Sequence, residues 1–460
     1  MTGKKYSKNM IISIAVPMMI QNGLTNLVTL LDNLMIGGVG TNALSGVSVS
    51  NQLNFVFMLM IFGATAGVGI FTAQYHGKGD IEGVRNTFRF KLVMNTCISL
   101  IALVVLYLFA PDLIGLFLLG EGDPADAAEI LSIGTRYINI MLLGLLPLGI
   151  TFAYSGTLRD TGNTKVPMIA SAAAIVQNLI GNALLIYGLM GLPKLGPDGA
   201  AISTVLSRIT ELLILVIYTG THKKKAPFIE GAFRNFRIPG KLALHFLIRS
   251  LPLVANETLW SMGTTFINEC YSYRSLNAVS ALNIENTLYT LLGVPFIAFG
   301  EAVGIVVGHI LGNNDIEGAK KYAKKMQWIT TLFGVIFGLI MACLAPVFPS
   351  TFVNVSESVR LMACEFIFIF GIFMPFYAYT HVSYFIIRAG GNVFITFLFD
   401  SLFMVLVTCP AAFILSRYTG IPVTPMIAMV QSLEIIKCII GGVMVNKGIW
   451  AKNIVSDTTL

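Results

Sequence analysis

The sequence predicts an all-α integral membrane protein, with twelve transmembrane helices in two pseudo-symmetric six-helix lobes around a central cavity. Three observations support this fold class. Of the 460 residues, 55% are hydrophobic and 12% are charged, whereas soluble domains carry about 25% charged residues. Apolar runs such as 98–110, 329–345 and 394–415 recur along the chain, and a bilayer core requires about 20 residues of helix. The two halves of the chain are also related in sequence.

Twelve segments are long and apolar enough to be membrane helices. They cover approximately residues 9–36, 45–75, 90–110, 128–156, 165–190, 198–220, 242–272, 278–310, 326–348, 357–386, 393–416 and 422–446. Alternating strands of about ten residues, which a membrane β-barrel would require, are not evident in the sequence.

Basic residues are concentrated in alternate loops, and the largest group is Lys223, Lys224, Lys225, Arg234, Arg237 and Lys241. By the positive-inside rule these loops face the cytoplasm, and an even number of helices then places both termini there. The net charge of +7 is therefore ascribed to membrane topology, and no nucleic-acid partner is expected. Segment 221–241 is interpreted as a basic cytoplasmic linker between an N-lobe (1–220, helices 1–6) and a C-lobe (242–460, helices 7–12).

The halves align with an offset of 235 positions. Pro17 then matches Pro252, Gly69 matches Gly304, and the segment GDIEG at 79–83 matches NDIEG at 314–318. The offset later slips by six, so that LRDTGN at 158–163 meets IRAGGN at 387–392. Parallel repeats of six helices are typical of transporters that work by alternating access, with the substrate site between the halves. Because the chain contains its own pseudo-dimer, we expect a monomer.

Polar side chains recur at helical spacing along the first and seventh membrane segments. Each of these stripes contains one carboxylate, Asp32 or Glu257. A charged side chain in a membrane helix costs roughly 2.5–3.5 kcal/mol on insertion scales and is therefore a candidate functional residue. With Glu301 of the eighth segment, the predicted residues of a polar cavity are Asn22, Asn26, Thr29, Asn33, Gln52, Gln177, Ser261, Thr264 and Asn268.

Other patterns indicate packing or local pairing. Small residues recur every fourth position at Thr65, Gly69, Ala73 and Gly77 and again at Gly300, Gly304, Gly308 and Gly312, a spacing that allows two helices to approach closely. Two pairs of opposite charge, Arg208–Glu211 and Glu434–Lys437, are spaced i,i+3, and we expect each to form an ion pair within its helix.

No motif of an enzyme is found. The sequence lacks a phosphate-binding Walker loop, an HExxH zinc motif and a Ser/His/Asp cluster, so we predict that the protein is not an enzyme. The six cysteines form no CxxC motif and are expected to be free thiols. Without a phosphate-binding loop, the energy for transport must come from an ion gradient or a partner, and the coupling ion is the only cofactor expected.

Four segments together resemble the MATE (multidrug and toxic compound extrusion) transporters, and the resemblance covers nearly the whole chain. They are LDNLMIGGVG at 31–40, GTLRDTGNTKVP at 156–167, LGPDGAA at 195–201 and LPLVANETLWSM at 251–262. The resemblance implies secondary active multidrug efflux, in which cationic and amphipathic compounds leave the cell in exchange for H⁺ or Na⁺. It also implies a location in the bacterial cytoplasmic membrane.

Site residues are carried over from the resemblance by position. Asp32 resembles the coupling acid of the N-lobe, and Asn178 the helix-five asparagine that frames it. Asn182 stands where some members have an aspartate, and Tyr377 about where others have one in helix ten. The predicted ion-coupling residues are therefore Asp32, Asn178, Asn182 and Glu257, and a transported Na⁺ at Asp32 is the only metal considered.

Two alternatives remain open. A flippase of lipid-linked saccharides would need cationic residues in its cavity to hold a pyrophosphate, whereas the interior charges placed here are mainly acids. A non-transporting receptor or channel is a third possibility, although a channel is more often an oligomer around one pore, and this chain has its own two-lobed symmetry.

Overall fold

The computed structural model describes residues 8–118, 124–234, 236–352 and 355–456, and every regular element in these ranges is helical. Twelve long helices lie at the predicted places. In chain order they are α1 (Lys8–Gly37), α2 (Thr41–Lys78), α3 (Ile81–Phe117), α4 (Pro124–Met141, a 3₁₀ turn at Leu142–Gly144, and Leu145–Asp160), α5 (Lys165–Tyr187), α6 (Pro197–Thr221), α7 (Gly240–Arg274), α8 (Leu276–Gly312), α9 (Ile316–Leu344), α10 (Glu357–Ala389), α11 (Val393–Tyr418) and α12 (Val423–Lys447).

Eleven of these helices are long and apolar enough to cross a membrane by length and composition alone. The other is α7, whose 35 residues include the polar stripe with Glu257 and the basic residues Lys241 and Arg249. Its length is sufficient for a bilayer span, but its polar residues lower its mean hydropathy. The predicted all-α fold with twelve membrane helices is confirmed.

Helices α3 and α9 begin about ten residues before the predicted apolar segments, at Ile81 and Ile316. The charged residues at these helix starts are helical because each start comes directly after a tight turn, at Gly79 or at Asn314. Asp315 caps α9 by accepting a hydrogen bond from the backbone N–H of Gly318 at 2.8 Å. A helix starts where such a side chain satisfies its first N–H groups, and hydropathy does not detect that signal.

The backbone repeats as the sequence does. Left-handed conformations occur at Gly79 (φ +80°) and at Asn314 (φ +61°), which are 235 positions apart. They occur again at Gly162 (φ +83°) and Gly391 (φ +77°), the matched glycines of the second aligned segment. Positive φ is adopted readily by glycine and tolerated by asparagine. The repeat is therefore preserved in turn geometry as well as in residue identity.

Two compact units make up the chain. The N-terminal unit contains residues 20–72 and 81–250. The C-terminal unit contains the described residues up to Met19, the segment Ala73–Asp80 and the described residues from Leu251 onward. Each unit has apolar clusters of its own, such as the one around Phe57 and Leu145 in the N-terminal unit and the one around Phe366 and Met426 in the C-terminal unit.

The glycine-rich faces of α2 and α8 meet within the C-terminal unit. A Cβ atom at Gly77 would overlap the carbonyl oxygen of His309, and one at Gly312 would overlap that of Gln74. A Cβ at Gly308 would lie 2.8 Å from the Cβ of Ala73. Gln74 and His309 are themselves 235 positions apart, so the two contacts are equivalent. The predicted close approach of small residues is confirmed for these helices.

We expect Gly312→Ala to lower the thermal unfolding midpoint of the purified protein in detergent. The added methyl group has to displace backbone, and overpacking of this kind costs about 1–3 kcal/mol. Gly115→Ala is the matched control, because nothing lies within 4 Å of a Cβ at Gly115, and alanine is the better helix former. A Gly312→Ala midpoint equal to that of wild type would contradict the close contact.

Candidate functional site

Asp32 lies near the end of α1 and is bonded to α5. The side-chain Nδ2 of Asn182 donates to Oδ1 of Asp32 at 2.6 Å. The same nitrogen is 3.4 Å from Oδ1 of Asn178, one turn earlier on α5. Both asparagines are buried because they follow Ser171 and Ala174 on the face of α5 that packs within the unit. Three of the four predicted ion-coupling residues are therefore in contact.

Helix α6 completes this group with two hydroxyls. Nδ2 of Asn178 donates to Oγ1 of Thr204 at 3.3 Å, and Oγ of Ser203 donates to the backbone carbonyl of Asn178 at 2.8 Å. The helices come this close because Gly181 has no side chain to meet Ser203. The sequence analysis missed both hydroxyls. The signal available was a Ser-Thr pair within an apolar helix, directly after the predicted lead into helix six.

The oxygens near Asp32 suit a small hard cation or a proton. Oδ1 of Asn182 is buried and accepts no hydrogen bond from the protein. Carboxylate, amide and hydroxyl oxygens are the donor type that hard cations prefer. Among the described residues, no group of three or more His, Cys, Asp and Glu side chains is placed to hold a metal ion.

The rest of the first predicted stripe does not converge on Asp32. Asn22 and Asn26 are half-buried, whereas Thr29, Asn33 and Gln52 are exposed, and none of these five bonds to Asp32 in the part of the chain that the structure describes. Thr29 donates to the backbone carbonyl of Thr25 at 3.1 Å. Asn22, Asn26, Thr29 and Asn33 share α1 with Asp32, whereas Gln52 lies on α2.

Gln177 is also separate from the Asp32 group. It lines a shallow apolar groove on α5 together with Ile169, Val176 and Ile180. Its Oε1 is buried without a hydrogen-bond donor from the protein.

In the C-terminal unit, Glu257 of α7 contacts α10. The hydroxyl of Tyr384 donates to its Oε1 at 3.1 Å. The guanidinium of Arg388 interacts electrostatically with both Glu257 and Glu301 of α8, so these two predicted acids share one cation. The other predicted polar residues of α7 form no hydrogen bond with Glu257 in the part of the chain that the structure describes. Ser261 and Thr264 are half-buried, Asn268 is exposed, and the hydroxyl of Thr264 donates to the carbonyl of Ser261 at 2.9 Å.

A buried ion pair lies beside Glu257. Nζ of Lys437 on α12 is 2.6 Å from Oδ1 of Asp400 on α11, whose Oδ2 accepts from Nδ2 of Asn256 at 3.0 Å. Ser401 also bonds Asn256, with its hydroxyl 2.8 Å from Oδ1. Consecutive residues of α11 both face α7 because this part of the helix, Leu398–Leu402, is wound as a π-helix, which changes the angle between successive side chains.

Neither of the expected ion pairs within a helix is found among the described residues. Lys437 pairs with Asp400, and Glu434 accepts a hydrogen bond from the hydroxyl of Thr380 at 3.2 Å instead. Glu211 accepts from the hydroxyl of Ser171, and Nη1 of Arg208 is buried without a hydrogen-bond partner. Spacing along one helix allows a contact, but Glu211, Glu434 and Lys437 each bond to a neighbouring helix instead.

Buried cations are more numerous than the sequence analysis indicated. Lys91 of α3 is fully buried and pairs with Asp160 at the end of α4, at 2.6 Å. Lys437 is buried against Asp400 in the same way. The interior therefore holds buried lysines in addition to the acids that the sequence indicated. Each of these lysines is held by an aspartate, as a charge removed from water requires.

Comparison with known proteins places the chain in one family. The MatE family model matches residues 17–184 and 252–414, and the two matched segments begin 235 positions apart, like the internal repeat. A Bacillus subtilis protein named probable multidrug resistance protein YoeA is 23% identical over 89% of this chain and 87% of its own. The probable multidrug resistance protein NorM of Thermotoga maritima is 24% identical over 89% of this chain and 85% of its own.

Solved structures agree in fold. A multidrug resistance MATE family transporter of the MOP superfamily, in an outward-facing conformation, superposes with a TM-score of 0.85 at 18% identity, covering 96% of each chain. A MOP superfamily transporter from Pyrococcus furiosus, described as having a binding pocket of reverse polarity, superposes with a TM-score of 0.81 at 19% identity, again over 96% of each chain. At these identities the likeness establishes the fold.

We expect Lys437→Ala to destabilise the protein strongly, because it leaves the buried Asp400 carboxylate without its cation, a loss of about 3–5 kcal/mol. The double variant Lys437→Met/Asp400→Leu should recover most of that loss. Thermal unfolding in detergent measures both. The control is Glu317→Gln, which removes the exposed Glu317–Lys320 pair and should change little. A double variant no more stable than Lys437→Ala would show that the pair does not act as a unit.

Proposed function

The chain belongs to the MatE family of membrane transporters, and we propose that it is a multidrug efflux antiporter. In this proposal it exports cationic and amphipathic compounds by alternating access, in exchange for H⁺ bound at Asp32. The family match, the relatives named multidrug resistance proteins and the two-unit repeat support it. We propose further that it works as a monomer in the bacterial cytoplasmic membrane, with both termini in the cytoplasm and the coupling ion as its only cofactor.

The observation that carries the proposal is the way in which Asp32 is held. Its carboxylate receives one amide N–H, from Asn182 at 2.6 Å, and forms no ion pair among the described residues. The buried aspartates Asp160 and Asp400 each have a lysine within 2.6 Å. A carboxylate in a bilayer must be neutralised. Where the protein supplies no cation, a mobile one is expected, and a proton is the smallest.

Sodium is the second candidate for the coupling ion, and a specific observation favours it. Oδ1 of Asn182 is buried without a donor, and rotation of this amide would present an oxygen to an ion at Asp32. Thr204 could add a hydroxyl oxygen through its contact with Asn178. We place H⁺ first because the Asn182 N–H, and not its oxygen, faces the carboxylate, and a proton needs no additional ligands.

Glu257 is assigned to the attraction of cationic substrates. With Glu301 it supplies two negative charges around the single positive charge of Arg388, so the group retains a net negative charge when both acids are ionised. Flipping of lipid-linked saccharides is disfavoured by the buried lysines, because Lys91 and Lys437 are each neutralised by an aspartate and are not available to a pyrophosphate.

The test is uptake of the fluorescent cation ethidium by the purified protein in liposomes under a pH gradient alone or a sodium gradient alone. We expect the pH gradient to drive uptake. Asp32→Asn should reduce the driven rate by about 10²-fold or more, in the range of a lost proton-transfer group. Glu257→Gln should weaken ethidium binding. Glu269→Gln, which alters an exposed acid of α7, is the matched control and should behave as wild type.

Other outcomes would change the assignment. Uptake driven only by sodium would make Na⁺ the coupling ion. Full activity of Asp32→Asn under the pH gradient would remove the coupling role from this residue. If neither gradient moves ethidium and a labelled lipid-linked saccharide is scrambled, the exporter proposal fails and the flippase replaces it.

A further inference from the structure

Helices α1 and α5 are joined by side chains at two levels. The outer level lies near the C-terminal end of α1, where Asn182 donates to Asp32 at 2.6 Å. The inner level lies near the middle of α1, where Nε2 of Gln21 donates to Oγ of Ser171 at 2.7 Å. Each pair is 150 positions apart in sequence, so the two helices run parallel and in register. Eleven residues separate the levels on both helices, which is about 16 Å at 1.5 Å per residue.

A second carboxylate of the N-terminal unit lies at the inner level. Glu211 of α6 accepts the hydrogen bond that the Ser171 hydroxyl donates. The oxygen of that hydroxyl in turn accepts from Gln21, so its proton is directed at Glu211. Within the described ranges Glu211 forms no ion pair. Positive charge reaches it from Arg159 at the end of α4 and from Arg208 one turn away on α6.

Polar groups on α6 lead from one level to the other. Thr204 contacts Asn178 of the Asp32 group, and Thr204, Arg208 and Glu211 share one face of the helix because they are spaced i, i+4 and i+7. Nη1 of Arg208 and Oε1 of Gln21 are both buried without hydrogen-bond partners from the protein. Buried polar atoms of this kind are commonly satisfied by water, which transfers protons.

The C-terminal unit has a different group at the equivalent place. Asn256 is 235 positions after Gln21 and Asp400 is 229 positions after Ser171, which are the two offsets of the repeat. Glu211 and Lys437 are each the fifteenth residue of a 25-residue helix. Asn256 and Lys437 are joined through Asp400, as Gln21 and Glu211 are joined through Ser171. The C-terminal unit therefore has an ion pair, Lys437–Asp400, where the N-terminal unit has the Glu211 carboxylate, which accepts a hydrogen bond from the Ser171 hydroxyl.

We propose that Glu211 is a second proton-binding residue, which receives the coupling proton from Asp32 and releases it at the end of the unit that bears Arg159 and Lys165. The inference rests on the proposed function, because it requires H⁺ to be the coupling ion. The carboxylic acid of Asp32 loses its proton and becomes a carboxylate, while the Glu211 carboxylate gains that proton. Glu211 then gives the proton to water. Arg208 keeps its own proton and stabilises the Glu211 carboxylate when that group is ionised.

The decisive variant is Glu211→Gln in the full-length protein in liposomes. We expect it to reduce ethidium uptake driven by a pH gradient by about tenfold or more. Ethidium binding, and ethidium counterflow at equal pH on both sides, should stay at the wild-type level because neither requires net proton release. Glu211→Asp, which retains a carboxylate, should restore part of the driven uptake.

Glu434→Gln is the matched control. Glu434 is a half-buried acid of α12 that, like Glu211, accepts from a hydroxyl of a neighbouring helix, and its removal should leave all three measurements unchanged. Wild-type driven uptake in Glu211→Gln, or equal losses of binding, counterflow and driven uptake, would overturn the relay while the role of Asp32 stands. If wild type itself does not respond to the pH gradient, or Asp32→Asn has no effect, the proposed function has failed and the relay fails with it.

Discussion

Neutralisation of charge inside the bilayer is the constraint on which the arrangement of these helices depends. A bare ion in the low-dielectric interior is far more costly than any single packing contact is favourable. The pairs Lys91–Asp160 and Lys437–Asp400 meet this requirement within the protein, each at 2.6 Å. Such pairs hold helices together and leave no charge for a transported ion. Asp32 forms no such pair among the described residues, and its carboxylate is therefore suited to exchange an ion.

The two halves of the repeat share their turns and close helix contacts but differ in their buried polar residues. The equivalent turns at Gly79 and Asn314 both have positive φ. Where α2 and α8 cross, a glycine of each helix lies against a backbone carbonyl of the other. Turns and close helix contacts tolerate few residue types, since a side chain would strain or displace the backbone. Interior polar positions are constrained only by total charge and hydrogen bonding. They can differ as a group, as Gln21–Ser171–Glu211 differs from Asn256–Asp400–Lys437.

Much of the fold could be predicted from the sequence because bilayer helices leave strong one-dimensional signals. Apolar length, alternating loop charge and the repeat gave the twelve helices, and small-residue spacing gave the close approach of Gly77 and Gly312. Helix starts such as Ile81 were placed too late because hydropathy reports burial in lipid and not backbone conformation. The contact of Asp32 with Asn182 follows positions that the resemblance had already indicated.

Contacts between helices were predicted less well than contacts along them. The periodicity of a sequence shows which residues share one face of a helix. It does not show how that helix is rotated or shifted along its axis relative to the neighbouring helix. The pairing of Lys437 with Asp400 depends on the register of α11 and α12 and on the π-helical turns of α11. No local pattern gives these quantities. The two hydroxyls of α6 near Asn178 were missed because a Ser-Thr pair shows that a position is polar but not which helix it faces.

The distance between the two levels of the N-terminal unit gives the relay a physical consequence. A hydrocarbon core is about 30 Å thick, so the rise of roughly 16 Å along the helices from the level of Glu211 to that of Asp32 is about half of it. Moving one elementary charge through the whole membrane potential is worth about 2.3 kcal/mol per 100 mV. A proton passing between these residues would therefore use about half of that energy within one unit. The other half of that energy would be used where the proton passes through water at the two ends of the unit. Coupling would then need changes in hydration at Asp32 and Glu211 in addition to the movement of substrate.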